Sequence, residues 1–313
     1  ITVRESDHLF QIGNFAFDHK NLQLKKDEIK RQLTQKEADL LKYFIKNKRC
    51  AIMALRIFWG KVLPENIDHN LERFSEKLNC IPHESEIIIL PEMFTTGFSM
   101  NTESVFELMD GTTIRWMKNI AATKNAVLTG SIIIKENGLF YNRLIWVRPN
   151  GTLEWYDKRH LFTLAKEHHF FTQGSKREIF ELQDQQHETW RICPLICYDL
   201  RFPVWARNLE NYDLLIYVAN WPKPRINAWS TLLKARAIEN MSYCVGVNRV
   251  GVDKRNNEYT GNSAAFDCLG KKISITKPNV ESVETINLNK NNLIKNREKF
   301  QFLNDRDDFK IIT

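Results

Sequence analysis

Three residues of this chain have side chains that together suit an acyl transfer. Each closes an apolar stretch that reads as a strand: Glu92 in LPEMF, Lys158 in YDKRH and Cys197 in ICYDLRFP. A thiol is a poor nucleophile until it loses its proton, so Cys197 needs a base within reach. Glu92 is of the right type to take that proton and later to activate the water that resolves an acyl-enzyme. The tetrahedral intermediate carries an oxyanion, which a fixed cation and a backbone N–H stabilise. Lys158 supplies the cation, and the amide of Tyr198, at the turn after Cys197, supplies the N–H. Neighbouring opposite charges also help to keep the carboxylate and the ammonium ionised. Taken singly none of the three is distinctive: such a Cys is commonly a packed thiol, such a Lys a solvated one, and such a Glu a cap.

The other reactive residues fit less well. The six cysteines (Cys50, Cys80, Cys193, Cys197, Cys244, Cys268) follow no zinc-binding spacing, and no metal or cofactor is expected. His160, His168 and His169 flank the motifs and offer a Cys–His pair or a metal site instead. His168 and His169 are adjacent, however, so on a regular element they point apart. The chemistry above requires neither.

Strands alternating with helices must hold these groups. NIDHNLERFSEKL places Ile67, Leu71, Phe74 and Leu78 on one helical face, and EIIILPEMF follows as a buried strand. DGTTIRWMKNIAATKN reads as a helix, AVLTGSIII and LFYNRLIWV as a strand pair, and TLEWYDK as the next strand. RICPLIC and LLIYVAN are apolar strands separated by a short helix near Pro203. A helix from about Trp229 to Met241 leads into CVGVNRV, and GNSAAFD is a later strand. Nearly continuous apolar strands between helices indicate a layered α/β fold, and strand ends are where such folds tend to present reacting groups.

Glu92, Lys158 and Cys197 in this order and context resemble the nitrilase superfamily of carbon–nitrogen hydrolases. CYDLRFPVWARN, YVANWP, LLKARAIEN, GVNRVG and REKFQFLNDRDDF are similar to its bacterial omega-amidase branch. The likeness runs from about residue 65 to the end of the chain. It implies a four-layer α-β-β-α sandwich in which Glu92 is the base, Lys158 the oxyanion stabiliser and Cys197 the nucleophile. It further implies that Glu167, in LAKEHHFF, orients the substrate and the lysine; the alternative is a surface carboxylate beside Lys166. Arg201 falls where omega-amidases are thought to bind a substrate carboxylate, or else it pairs internally with Asp199 or Glu239. Asn220 and Trp221, in ANWP, would line the pocket, and Trp221 equally suits a core. The implied reaction hydrolyses the terminal amide of 2-oxoglutaramate or 2-oxosuccinamate through a thioester. The resemblance also implies a homodimer formed through helices flanking the nucleophile.

The beginning of the chain departs from that pattern. Residues 1 to about 60 resemble the start of a response-regulator winged-helix domain. FQIGNFAFDHKNLQL is similar to its leading sheet, LTQKEADLLKYFIKNK to its first helix and ALRIFWGK to its second. Thr34 and Glu37 form a capping-box pattern ahead of Leu40, Leu41, Phe44 and Ile45 at helical spacing. The element that would read the major groove does not follow, so nucleic-acid binding is not expected. Two domains are therefore expected, a truncated winged-helix-like segment over 1–60 and an amidase over 61–313. The first core strand of the amidase is then lost, unless LRIFW fills its place; Leu55, Ile57 and Trp59 alternate as a strand would.

Composition sets the remaining bounds. The chain has 313 residues, 43% hydrophobic and 27% charged, which suits a globular enzyme. No apolar run approaches the roughly 20 residues of a membrane helix, and the polar start points to the cytoplasm. The net charge of +7, with lysines crowded between Lys20 and Lys48, reads as a solvated surface. Three other readings stay open: a hydrolase of the same superfamily acting on another amide, carbamoyl compound or nitrile; a DNA-binding regulator with an amidase-like sensor; and an inactive fusion.

Overall fold

The computed structural model describes residues 9–12, 15–26, 29–39, 52–59, 61–79 and 85–311. Two compact units divide at Ala51 and Ile52. In the first, β1 (Leu9–Ile12), β2 (Phe15–Asp18), β3 (Gln23–Lys26) and β4 (Ile29–Gln32) form an antiparallel sheet in chain order. A helical stretch over 35–39 (α1) follows. Its capping box forms as the residue types require: the Thr34 N–H donates to Glu37 Oε2 at 2.8 Å, and the Glu37 N–H to Thr34 Oγ1 at 3.3 Å. Leu40, Leu41, Phe44 and Ile45 lie outside the described residues.

The two compact units divide nine residues before residue 60, and strand pairing accounts for that division. Ile52–Trp59 is strand β5, not a second winged-helix helix. It pairs antiparallel with β17 (Ser282–Asn289) from Ile52↔Asn289 to Trp59↔Ser282, and parallel with β6 (Ile87–Ile89) through Leu55↔Ile87. The first core strand is therefore present, with both edges of its ladder occupied.

The second unit has two sheets. The first continues from β6 into β7 (Val127–Glu136), β8 (Leu139–Val147) and β9 (Leu153–Asp157), giving the order β17-β5-β6-β7-β8-β9. The second has the order β10-β11-β12-β13-β16, with β10 Phe180–Gln183, β11 Thr189–Ile196, β12 Leu214–Ala219, β13 Tyr243–Asn248 and β16 Ala264–Phe266. A separate hairpin joins β14 (Val250–Val252) to β15 (Glu258–Thr260).

Side-chain alternation sorts the layers. Ile87, Ile89, Leu144 and Trp146 point inward and share a core with Met53, Trp190 and Leu195. Ile88, Leu90, Ile145 and Val147 point outward, onto Leu71, Phe74 and Leu78 of α2 (Ile67–Asn79) and Ile114, Met117 and Ile120 of α4 (Thr112–Lys124). The short α3 (Thr102–Val105) lies between these helices in sequence. On the far side, α6 (Ile226–Glu239) covers the second sheet so closely that a Cβ at Gly246 would lie 2.4 Å from Leu233 and 2.6 Å from Trp229. The result is four layers, α-β-β-α. The short α5 (Pro203–Ala206) follows the nucleophile turn, and α7 (Lys290–Phe300) follows β17.

Candidate active site

Cys197, Glu92 and Lys158 lie just beyond the ends of β11, β6 and β9, and the backbone turns sharply at two of these places. Cys197 follows β11 with φ of +45°, and Met93, directly after Glu92, has φ of +43°. A non-glycine residue in the left-handed region carries strain that its surroundings must hold. At the nucleophile turn the holding group is Asp199. Its carboxylate accepts from the Ile196 N–H at 3.0 Å, the Tyr156 hydroxyl at 2.8 Å and the His160 N–H at 2.9 Å, and the His160 ring Nδ1 lies 2.8 Å away. Tyr156 and His160 bracket Lys158, so one buried carboxylate ties the nucleophile turn to the lysine strand. At the Glu92 turn Gly130 permits the approach: a Cβ there would lie 2.8 Å from Leu90 and 2.9 Å from Phe94.

Glu92, Lys158 and Glu167 are all fully buried. Lys158 Nζ donates to Glu92 Oε1 at 3.0 Å and to both oxygens of Glu167 at 3.0 and 2.9 Å. Glu167 is thus no surface carboxylate; the Phe162 N–H reaches it as well, at 2.5 Å. Asn142, from β8, spans the two acids, donating to Glu92 at 2.8 Å and to Glu167 at 3.5 Å. The Asn220 N–H donates to Glu92 Oε2 at 2.7 Å, and its side-chain amide to the Glu92 carbonyl at 2.8 Å. Every carboxylate oxygen of the cluster therefore has a donor, as buried charge requires.

The charges set the protonation states. Burial works against the Lys158 ammonium, but the Glu167 and Glu92 carboxylates outweigh it and hold the group above the ordinary lysine range. Burial, offset in part by Lys158, raises the Glu167 carboxyl. Burial also pushes the Cys197 thiol well up; the Glu92 charge and a hydrogen bond from thiol to Glu92 add to this, and Lys158 opposes it. The thiol accordingly rests protonated. Tyr198 opens the turn that follows, where first-turn N–H groups have no helical acceptor.

Cys197, Lys158, Tyr198, Arg201, Asn220 and Trp221 all line one cavity of about 460 Å³. Trp221 walls the cavity and also packs on Trp229 at 5.6 Å between ring centres. Neither internal partner expected for Arg201 is taken up. Asp199 is occupied as described, and Glu239 pairs with Arg236 at 2.9 Å. The Arg201 guanidinium instead lies over the Trp221 ring at 5.1 Å. His160 is held by Asp199 and stacked 3.7 Å from Phe202, while His168 and His169 are exposed.

Sequence reasoning missed Asn142, Asp199 and Arg225. A polar residue inside the apolar run LFYNRLIWV, and an acid two residues after the nucleophile, were the available signals.

An α-β-β-α sandwich with a strand-end cysteine facing a buried Glu–Lys–Glu cluster defines a class of hydrolase. The chain belongs to the carbon–nitrogen hydrolase family, which its residues 31–295 match. Among curated relatives, it is 42% identical over 243 residues to the omega-amidase YafV of Yersinia enterocolitica, covering 78% of this chain and 92% of that one. It is 33% identical over 223 residues to a 2-oxoglutaramate amidase of Bacillus subtilis, covering 70% and 82%. Among solved structures, a carbon–nitrogen hydrolase superfamily protein from Xanthomonas campestris superposes with a TM-score of 0.79 at 38% identity, covering 83% of this chain and 99% of that one. The chain is an amidase of this family.

Proposed function

We propose that this amidase is an omega-amidase, removing the terminal amide of a small omega-amido 2-oxo acid such as 2-oxoglutaramate or 2-oxosuccinamate. The observation that carries the mechanism is the buried Lys158 ammonium clamped between Glu92 and Glu167, with Lys158 and Cys197 lining the same cavity. Glu92 takes the thiol proton as sulfur adds to the amide carbon. Lys158 and the Tyr198 N–H then stabilise the oxyanion. The C–N bond breaks, Glu92 returns the proton to nitrogen, and ammonia leaves a thioester on Cys197. Glu92 next deprotonates a water that adds to the thioester carbon; the C–S bond breaks, and the thiol regains the proton as the dicarboxylate forms.

The substrate class is supported by the two amidase relatives and by the cavity wall. Among the described residues Arg201 has no acidic partner there, and a guanidinium suits a carboxylate. The test is ammonia release from 2-oxoglutaramate, glutamine and simple nitriles by wild type and Cys197→Ala. Activity that survives Cys197→Ala sinks the mechanism, and preference for a nitrile sinks the substrate assignment.

We further read the protein as a cytoplasmic homodimer. The four described cysteines, all free and buried, suit a reducing compartment. Val204 on α5 and Ile238 on α6, beside the nucleophile turn, are 55% and 44% exposed, which suits an interface. A monomeric mass by light scattering overturns the dimer. Residues 1–51 we read as an appended winged-helix-type unit, on the strength of its four-stranded sheet and the helical stretch that follows.

A further inference from the structure

The cavity wall carries more positive charge than one substrate carboxylate needs, and the surplus has a pattern. Arg225 also lines the cavity. Its guanidinium lies over the Phe162 ring at 5.1 Å, and among the described residues it makes no ion pair. Trp221 links it to Arg201: the Arg201 guanidinium covers the Trp221 ring, and Trp221 Nε1 donates to the Arg225 carbonyl at 2.8 Å. Two guanidinium heads of one cavity wall are thus each seated on an aromatic face, Arg201 on Trp221 and Arg225 on Phe162.

A third cation stands behind them. Arg249 is 1% exposed and lines the same cavity, with Nη2 bound to the Val62 carbonyl at 2.8 Å. Its Nε and Nη1 are buried without a hydrogen-bond partner. The acids on the same wall are engaged elsewhere. Glu65 pairs with Lys254 at 2.7 Å, and Asp253 accepts from Asn257 and from the Tyr259 hydroxyl, each at 2.9 Å. The wall therefore carries more cationic groups than acids, with Arg201, Arg225 and Arg249 set against Asp253 once Glu65 is paired with Lys254.

We propose that Arg225 is a specificity-determining residue which, with Arg201, forms a two-arginine clamp for the carboxylate and adjacent 2-oxo oxygen of the substrate. The clamp rejects the corresponding α-amino acid, because its ammonium would stand beside two guanidinium groups. Like charges brought together select against the wrong ligand as effectively as contacts select the right one. This inference rests on the omega-amidase reading and deepens it: the preferred class is the α-keto ω-amide, and glutamine and asparagine are refused by charge.

The test uses the full-length protein and its Arg225→Gln and Arg225→Lys variants, with kcat and KM measured for 2-oxoglutaramate, glutamine and pentanamide. Removing a charge-assisted contact is expected to raise KM for 2-oxoglutaramate by roughly 10- to 100-fold in Arg225→Gln, with kcat changed far less. The preference for 2-oxoglutaramate over glutamine should fall with it, and Arg225→Lys should restore part of both. Equal losses on all three substrates indicate a purely structural residue and overturn the clamp; so does an unaltered 2-oxoglutaramate-to-glutamine ratio. A second measurement separates this from failure of the proposed function. Binding of 2-oxoglutarate to Cys197→Ala is measured by calorimetry, with and without Arg225→Gln. If wild type does not hydrolyse 2-oxoglutaramate yet this binding needs Arg225, the substrate assignment falls and the clamp stands. Binding indifferent to Arg225 overturns the clamp.

Discussion

Glu167 grips Lys158 with both carboxylate oxygens, at 3.0 and 2.9 Å, whereas Glu92 reaches the same ammonium with one oxygen, at 3.0 Å. The asymmetry divides the labour between the two acids. In the proposed mechanism Glu167 holds the cation in place, and Glu92 is left to act as the base. Removing the grip leaves the lysine charged but free to settle on Glu92, away from the developing oxyanion. Glu167→Ala is therefore expected to lower kcat by roughly 10²- to 10³-fold with a much smaller change in KM, measured by ammonia release. A loss confined to KM contradicts the positioning role.

Glu92→Gln keeps the shape of the base and removes its proton affinity. Turnover is expected to vanish, while alkylation of Cys197 by iodoacetamide at neutral pH is expected to quicken, because the neutral amide no longer holds the thiol up by its charge. Peptide-resolved mass spectrometry reads the site directly. Retained turnover in the variant would contradict the role of Glu92 as base.

Asp199 joins the nucleophile turn to the lysine strand through four contacts from Ile196, Tyr156 and His160. Asp199→Ala leaves these donors buried and unpaired, at a cost of roughly 3 kcal/mol or more. Denaturant unfolding is the measurement. A variant as stable as wild type, with activity intact, shows that the turn is held elsewhere.

Alkaline stability follows from the buried thiols. Burial pushes Cys193 up to about 12 and Cys268 to about 11. The folded protein holds these protons more tightly than the unfolded chain does. Their contribution is therefore complete below the ordinary thiol pKa of about 8.5 and is lost as pH rises toward those values. The slope is up to about 1.4 kcal/mol per pH unit for each group. The melting temperature should decline above pH 8.5, less steeply in Cys193→Ala. Parallel declines in the two proteins would exclude Cys193 as a source.

The placement of β5 predicts that Leu55→Pro, which removes a ladder donor in a strand paired on both edges, destabilises by roughly 3 kcal/mol or more. Residues 52–313 alone should retain a cooperative melt and amidase activity. A soluble, active Leu55→Pro variant with an unchanged melt would contradict the pairing.

Much of this arrangement was legible in the sequence, for reasons particular to each element. Leu71, Phe74 and Leu78 on α2 repeat at helical spacing because one face meets a sheet. Glu92, Lys158 and Cys197 stood out because each polar residue ends an apolar run. β5 was ambiguous: eight residues with Arg56 in the middle suit a short helix as well as a strand, and pairing with β17 at the far end of the chain decides it. Asn142 and Asp199 stayed hidden because their importance lies in their partners, and no local pattern reports a partner. Arg225 was hidden differently, since an arginine before a helix resembles any solvated one until its cavity is seen.

The pairing of Ile52 with Asn289 also bears on how the protein is made. β5 leaves the ribosome early and β17 among the last elements. At 5–20 residues per second, the strand therefore waits roughly 10–50 s for its partner. Throughout that interval the nascent chain presents an open edge beside β6, and the outermost strand of the sheet is the last to arrive. Synthesis speed and chaperone occupancy during those seconds therefore bear on how much of the chain reaches the native state.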